Sequence, residues 1–484
     1  VQTSYSRLAM TDGLFGFGVV TTVIGLAGLA DDVGDALILL GSGLGGVAMG
    51  IGGQRTFVRA QHPPPGKVLS GLALVWITLV LMGTGVYLLT GTIDRVDDAF
   101  VESAAGFSTT AATTLDPTGL SVPMQLWRAA TQWIGGCIGV LAGVVAIPMA
   151  LGRTVLTPRA GGGRRERLVP SQIVGRRRVF ALYVGFTVIV GVAYLLTGLG
   201  TRDSVVHAFT TVSTGGFSSR TDSFASIGGG PRVVATVAMA VAGSSFFLLW
   251  WLARGRIRPL VRSMELHSYL AMIGVGTALV VLDGETISVG DALFTVVSAA
   301  STTGHAVGDW TALDDAALAV LLVIVATGSM TGSAGGGLRV LRARVLVRYA
   351  ARELRRQLDP HAVIVVKHGD EGVDERALER MTGYQISHLG LITIGAFALA
   401  AFDVDVLAAI WTSVSAVSTF GPGIGTGPFG SLEEFSAPAR LALVPFMLAG
   451  RLSVLPLLLG VIWFARGQRH AERRVRRMVT KDRS

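Results

Sequence analysis

Hydrophobic and polar positions along this chain alternate in long blocks rather than at the short period of a soluble fold. Ten apolar stretches lie near residues 13–30, 34–53, 68–90, 123–150, 175–199, 232–252, 266–283, 316–338, 385–403 and 439–464. Each approaches the roughly 20 apolar residues that a helical span requires. Among them lie four apolar runs too short to cross a bilayer. They are DDAFVESAAGFSTTA ending at Ala111, DSVVHAFTTVSTG ending at Gly215, DALFTVVSAASTTG ending at Gly304 and DVLAAIWTSVSAVSTFG ending at Gly421. Each opens on aspartate (Asp98, second of the pair in the first run, then Asp203, Asp291 and Asp405) and closes on Ser/Thr residues, with glycine last in three of the four.

The recurrence predicts outer helix, pore helix, filter and inner helix four times over. The expected fold class is therefore all-α integral membrane, with four pseudo-repeats around a central pore and a leading two-helix hairpin. The implied division is 1–67 for the hairpin, then 68–160, 161–262, 263–378 (with a cytoplasmic hairpin) and 379–484 (with a basic tail) for the repeats. A single Ser-Thr-Gly run in an apolar chain means little. Four, at spacings of 104, 89 and 117 residues measured from Ala111, Gly215, Gly304 and Gly421, mark a repeat.

Composition agrees with a membrane protein. Only 15% of the 484 residues are charged and mean hydropathy is +0.58, whereas soluble domains carry about 25% charge. The net charge of +9 is no nucleic-acid signal, because it follows the membrane. Segments 1–12, 54–67, 151–178, 253–265, 339–380 and 465–484 hold 34 of the 41 Lys and Arg residues. The positive-inside rule makes that side cytoplasmic, with both termini on it, in the plasma membrane. The opposite loops carry acids such as Asp94, Asp97, Glu285, Asp309 and Glu433, which concentrate cations at the outer mouth. The basic tail RRVRRMVTKDRS suits lipid headgroups or a partner. Residues 13–30 lack the basic leader of a signal peptide and are read as a retained span. The single cysteine, Cys137, excludes an intrachain disulfide. No nucleophile–base set or metal motif appears, so an enzyme has no support.

An aspartate opening a short helix caps free N–H groups and suits the positive end of the helix dipole. The opposite end is partially negative. Four such ends aimed at one cavity favour a dehydrated cation, and filter carbonyls then replace its water. The expected filter residues are Thr110, Ala111, Thr214, Gly215, Thr303, Gly304, Phe420 and Gly421. Hydroxyls of neighbouring Ser and Thr add oxygen ligands, the type that hard alkali cations take, so a permeant alkali cation, K+ or Na+, is expected and no cofactor. His207 reads as a packed pore-helix residue, and His305 as a candidate for the outer mouth. Glu102 is the one carboxylate that an ion-coupled carrier with alternating access, the alternative reading, would use.

From Gly328 to Gly337 five of ten residues are glycine, inside an apolar stretch. Interior helical glycine costs about 1 kcal/mol relative to alanine, so the helix should break at mid-membrane. Non-helical backbone there must be buried in protein or line water. A loop crossing the pore below the filter is accordingly expected at Gly332, Ser333, Ala334, Gly335, Gly336 and Gly337, with Arg451, the one strong cation inside a span, expected to be functional.

These residues resemble the TrkH/KtrB-type potassium transporters, kin to fungal Trk and plant high-affinity potassium transporters. ESAAGFSTTAATTL, TVSTGGFS, ASTTGHA and STFGPGIG resemble that family's four filters in order. QWIGGCIG resembles the start of its first inner helix, TGSMTGSAGGGLRV its glycine-rich segment, FMLAGRLSV its fourth inner helix, and LDPHAVIVVKHGDEGVD its cytoplasmic hairpin. Residues 68–464 carry the likeness, and 13–53 resemble the leading hairpin of the TrkH branch. The resemblance implies passive potassium uptake, a gating role for the glycine-rich loop, a homodimer, and a cytoplasmic nucleotide-binding ring of the TrkA/KtrA type supplied in trans. Arginines 342, 344, 348, 352, 355 and 356 are candidates for docking it. The chain departs from the family at Ala111 (usually glycine), Arg339 (usually lysine) and Ser453 (often glutamate). If Ala111 needs a positive φ, its methyl is strained, and weaker K+ over Na+ discrimination is expected.

Overall fold

The computed structural model describes residues 2–3, 5–58, 65–146, 172–283, 287–359, 361, 364–368, 371–373, 375–423 and 430–452. The basic tail, Glu285 and Ser453 lie outside them. Within the described residues each of the ten apolar stretches carries helix, two of them broken. The leading hairpin is Tyr5–Gly28 and Val33–Thr56, the second helix capped by the Asp32 carboxylate, which accepts the Asp35 N–H. The outer helices are Pro65–Leu89, Gln172–Leu196, Met264–Asp283 and Glu375–Ala400. The pore helices are Val96–Ser108, Thr201–Val212, Val289–Ser301 and Val406–Ser418. The first and fourth inner helices are Val122–Leu141 and Ala437–Leu452.

Six described helices are long and apolar enough to span a membrane, or up to seven if a bent pair is counted as one. That pair is the second inner helix, Gly229–Ala242 and Phe246–Leu252, bent by 107°. The third inner helix is also interrupted, running Asp315–Thr327 and then Val340–Leu358 across the glycine-rich segment. The third break follows from the glycine content. The second was not expected, since AGSS interrupts its apolar run only lightly. Its cause is tertiary: Gly332 O accepts from Phe246 N (3.0 Å), while Met330 N donates to Gly243 O (3.0 Å) and Ala334 N to Ala242 O (3.2 Å). Each break satisfies the backbone groups freed by the other, as apolar surroundings demand.

The repeats close into a ring. Pore helices two, three and four pack on inner helices one, two and three, and pore helix one packs on inner helix four. Charge pairs follow the same step: Arg232 of inner helix two reaches Asp291 of pore helix three (3.2 Å), and Arg440 of inner helix four reaches Asp98 of pore helix one (3.0 Å). One continuous core lies inside this ring, and large apolar side chains such as Leu196, Ile189, Val323, Ile386 and Phe397 face outward, as lipid contact requires. The hairpin joins repeat one through Phe17, which packs edge-on against Trp127 (5.4 Å between ring centroids).

Beyond the ring, Val340–Leu358 docks on Glu375–Ala400. Gln385 donates to Arg342 O (2.8 Å), Arg342 lies over the Tyr384 ring (3.8 Å) and Arg352 pairs with Glu375 (2.5 Å). Arg344 donates to Met264 O and Ser268 Oγ. Three of the six candidate docking arginines thus serve the chain's own packing, whereas Arg355 and Arg356 are exposed. Lys367–His368 and Glu371–Gly372 pair antiparallel in a short hairpin.

Candidate functional site: four filter segments and a glycine loop

The expected aspartate caps are corrected in three repeats. Only Asp405 is an N-cap, accepting from Leu407 N and Ala408 N. Arg95, Gly200 and Ser288 occupy the cap positions of the other pore helices, and Asp98, Asp203 and Asp291 sit three residues further in. The negative charge remains in each first turn, where it still suits the dipole.

At the opposite end all four segments turn alike. Thr109, Thr214, Thr302 and Thr419 adopt φ of 59°, 54°, 56° and 55°, a left-handed conformation that costs an L-residue roughly 1–2 kcal/mol. The next residue then donates back to the pore helix: Thr110 N to Ala105 O, Gly215 N to Thr210 O, Thr303 N to Ser298 O and Phe420 N to Ser415 O, all at 2.8–2.9 Å. This shared geometry fixes the correspondence between repeats and corrects the expected register of repeat two. Gly215 corresponds to Thr110, Thr303 and Phe420, and Gly216 is the counterpart of Ala111, Gly304 and Gly421; Thr214 matches Thr109. Aligning the four Ser-Thr dipeptides (STTA, STGG, STTG, STFG) carries the same register in the sequence.

The last of these positions meet one another. A Cβ on Gly216, Gly304 or Gly421 would stand 2.6–2.7 Å from the Ala111 methyl. One on Gly216 would also strike Thr303 O, and one on Gly304 would strike Phe420 O. The three glycines have φ of 79°, 85° and 111°, and Ala111 is not among the positive-φ residues. The expected strain at Ala111 is therefore removed: its backbone differs from that of its counterparts, and its N–H donates to Phe420 O (3.1 Å).

Each segment is held from behind. In repeats three and four a pore-helix serine accepts the N–H of the filter glycine: Ser298 from Gly304 (3.1 Å) and Ser415 from Gly421 (2.7 Å). In repeat two the brace is Gln132 of inner helix one, which donates to Gly215 O (2.7 Å) and accepts from Phe217 N (3.0 Å). Glu102 is fully buried, salt-bridged to Arg128 at 2.7 Å and bonded to Thr113 and Thr114, so the carboxylate a carrier would need is already engaged. Sequence reasoning missed these braces, because their partners come from separate helices. His305 does not line the outer mouth. It is fully buried, 3.2 Å from Thr211 Oγ1, with its ring 5.7 Å from that of His207, itself packed as expected.

The glycine loop lies directly under the filter. Gly336 N donates to Thr302 Oγ1 (2.7 Å). A Cβ on Gly336 would strike Ser418 O and Thr419 Oγ1, and one on Gly335 would strike Ser301 O, so only glycine permits this approach. Arg339 folds back on the loop, donating to Ser329 Oγ, Met330 O and Ser333 Oγ (2.9–3.1 Å). Arg451 is buried rather than extended toward a membrane surface, and donates to Ala334 O (2.5 Å) and Gly135 O (3.2 Å). Glu265, at the start of outer helix three, accepts Thr331 N at 2.6 Å. Among the described residues no His/Cys/Asp/Glu group suits a bound metal.

This geometry defines a multi-pass helical membrane protein in which four short helices are followed by segments that meet at one point. A family model described as "TrkH: Cation transport protein" matches residues 266–465. The Trk system potassium uptake protein TrkH of Salmonella typhimurium is 30% identical over 415 residues, covering 80% of this chain and 83% of that protein. Its Escherichia coli namesake is 29% identical over 443 residues, covering 85% and 89%. The crystal structure of the potassium transporter TrkH from Vibrio parahaemolyticus superposes with a TM-score of 0.83 at 24% identity, covering 94% of this chain and 98% of that one. The chain belongs to the TrkH family, a transporter family rather than an enzyme family.

Proposed function

We propose that this chain is the membrane-spanning subunit of a potassium uptake system, conducting K+ passively, with some Na+, through the ring of Thr110–Ala111, Gly215–Gly216, Thr303–Gly304 and Phe420–Gly421. The observation that carries the reading is the meeting of Ala111, Gly216, Gly304 and Gly421 at one point, each beyond the C-terminal end of a pore helix. Four partially negative helix ends and four backbone segments then face the same ion. The pairing of Glu102 with Arg128 counts against an ion-coupled carrier, which needs an intramembrane carboxylate open to the coupling ion. The relatives are named for the Trk system; by that likeness this chain works as a homodimer with a cytoplasmic nucleotide-binding ring, its termini on the same side.

The loop Gly328–Gly337 is the gate in this reading, and Arg451 and Arg339 hold it closed. Purified protein in planar bilayers between mixed K+ and Na+ solutions tests the function. The current should reverse near the potassium equilibrium potential and ignore a proton gradient; reversal that follows the proton gradient supports a carrier instead. Deleting Gly332–Gly337, or replacing Arg451 by alanine, should raise basal flux. Wild-type flux in membrane-inserted deletion protein removes the gating role.

A further inference from the structure

Filter one is built differently from the other three. Counting seven residues back from the left-handed threonine, the pore helices place Glu102, His207, Thr295 and Thr412 at one equivalent position. Counting four back gives Ala105, Thr210, Ser298 and Ser415. Repeat one thus lacks the serine hydroxyl that holds Gly304 and Gly421, and carries a carboxylate where repeats three and four have threonine.

That carboxylate is fully enclosed and fully used. Glu102 accepts from Thr113 Oγ1 (3.0 Å) and Thr114 N (2.9 Å), two and three residues beyond Ala111, and from Arg128 Nε (2.7 Å). Arg128, 3% exposed, extends the link to repeat two. Its Nη1 donates to Ser218 O (3.1 Å), and its guanidinium lies 3.7 Å from the centre of the Phe217 ring. Phe217 directly follows Gly216. On its other flank, the strand of filter one pairs with repeat four: Thr113 N donates to Gly430 O (3.1 Å) and Leu432 N to Thr113 O (2.8 Å). The ion pair therefore connects the exits of filters one and two, the stretches just beyond Ala111 and Gly216. A charged, hydrogen-bonded pair in a low-dielectric site, each member also bonded to a neighbouring segment, has one well-defined geometry.

We propose that Glu102, Arg128 and Phe217 are positioning residues for ion selection: the buried pair takes the place of the missing pore-helix serine and sets where the Ala111 segment stands against Gly216. The proposal rests on these segments being the ion filter. Cation discrimination depends on the number and orientation of the backbone oxygens around the ion, so loosening this link alters selectivity before it alters insertion.

The test is the K+/Na+ permeability ratio, from reversal potentials of purified protein in bilayers, for Glu102→Gln, Arg128→Lys and Phe217→Leu, with Gly304→Ser as reference. Arg128→Lys keeps the charge but loses the planar fork over Phe217. Phe217→Leu keeps both charges and their hydrogen bonds. A several-fold fall in the ratio is expected for each variant at unchanged membrane content, and a structural role alone would lower the amount of protein without moving the ratio. Wild-type ratios in conducting Arg128→Lys and Phe217→Leu overturn the proposal, whether or not Glu102→Gln folds. If Gly304→Ser moves the ratio while those two do not, only the positioning role fails; if Gly304→Ser also leaves it unchanged, the filter reading fails with it.

Discussion

Repeats one and three reach the same turn at the end of the pore helix by opposite means. Repeat three is locally determined: Ser298 of its own pore helix holds the N–H of Gly304, six residues on, and glycine accepts the φ of 85° at no steric cost. Repeat one is determined from a distance. Its filter residue is alanine, its pore helix offers Ala105 in place of the serine, and its order comes from Arg128, 26 residues beyond Glu102, and from the strand at Gly430–Leu432. A locally built filter should be insensitive to its neighbours and intolerant of its own substitution. A remotely built one should show the reverse.

The largest effect expected is at the local filters. Replacing Gly304 or Gly421 by serine forces a side chain onto φ of 85° or 111° and toward the Ala111 methyl. Left-handed backbone costs roughly 1–2 kcal/mol, and overpacking adds about 1–3 kcal/mol, with no room for relaxation in the ring. Potassium selectivity should fall furthest here, read as a shift of the reversal potential away from that of potassium and as failure of growth on limiting potassium in cells without other potassium systems. Normal growth and an unchanged reversal potential would show that these glycines do not line the path.

Next comes a contrast in stability. Arg128→Ala strands a buried Glu102 carboxylate, which costs about 3–5 kcal/mol. Ser298→Ala or Ser415→Ala leaves one buried N–H without a partner, which costs about 1–3 kcal/mol. Thermal unfolding of detergent-purified protein should rank Arg128→Ala below both serine variants. Equal losses would mean that repeat one is held no more remotely than the others.

The same contrast explains what the sequence discloses. Block hydropathy and four short runs carry the architecture, because a bilayer admits few backbone solutions. The third helix break is visible in five glycines, a local cause. The 107° break at Gly243–Ser245 is not, because the backbone groups it frees are satisfied by Met330, Gly332 and Ala334, nearly ninety residues away. The positions that meet from repeats one, three and four are legible in their Ser-Thr runs. Repeat two slipped by one residue because two glycines follow its threonine; the Ser-Thr alignment and the shared left-handed turn at Thr214 both select Gly216. The braces Gln132 and Glu102–Arg128 were illegible for the same reason as the second break: their partners meet only in the fold.

The smallest effect expected is at Ala111. Its φ is not positive, so glycine relieves no strain there, and the larger unfolded-state entropy of glycine costs about 0.4–1 kcal/mol. The bond from Ala111 N to Phe420 O, the Thr113 pairing and the Glu102 contacts all survive the substitution, so the segment has no new reason to move. Ala111→Gly removes only the methyl that stands among Gly216, Gly304 and Gly421. The K+/Na+ permeability ratio should shift toward potassium by less than about threefold, equivalent to ~0.6 kcal/mol. That is smaller than the shift expected on loosening the ion pair. A tenfold shift from Ala111→Gly, with Arg128→Lys unchanged, would reverse the comparison: the methyl itself would then decide how filter one treats its ion, and repeat one would be as locally determined as repeat three.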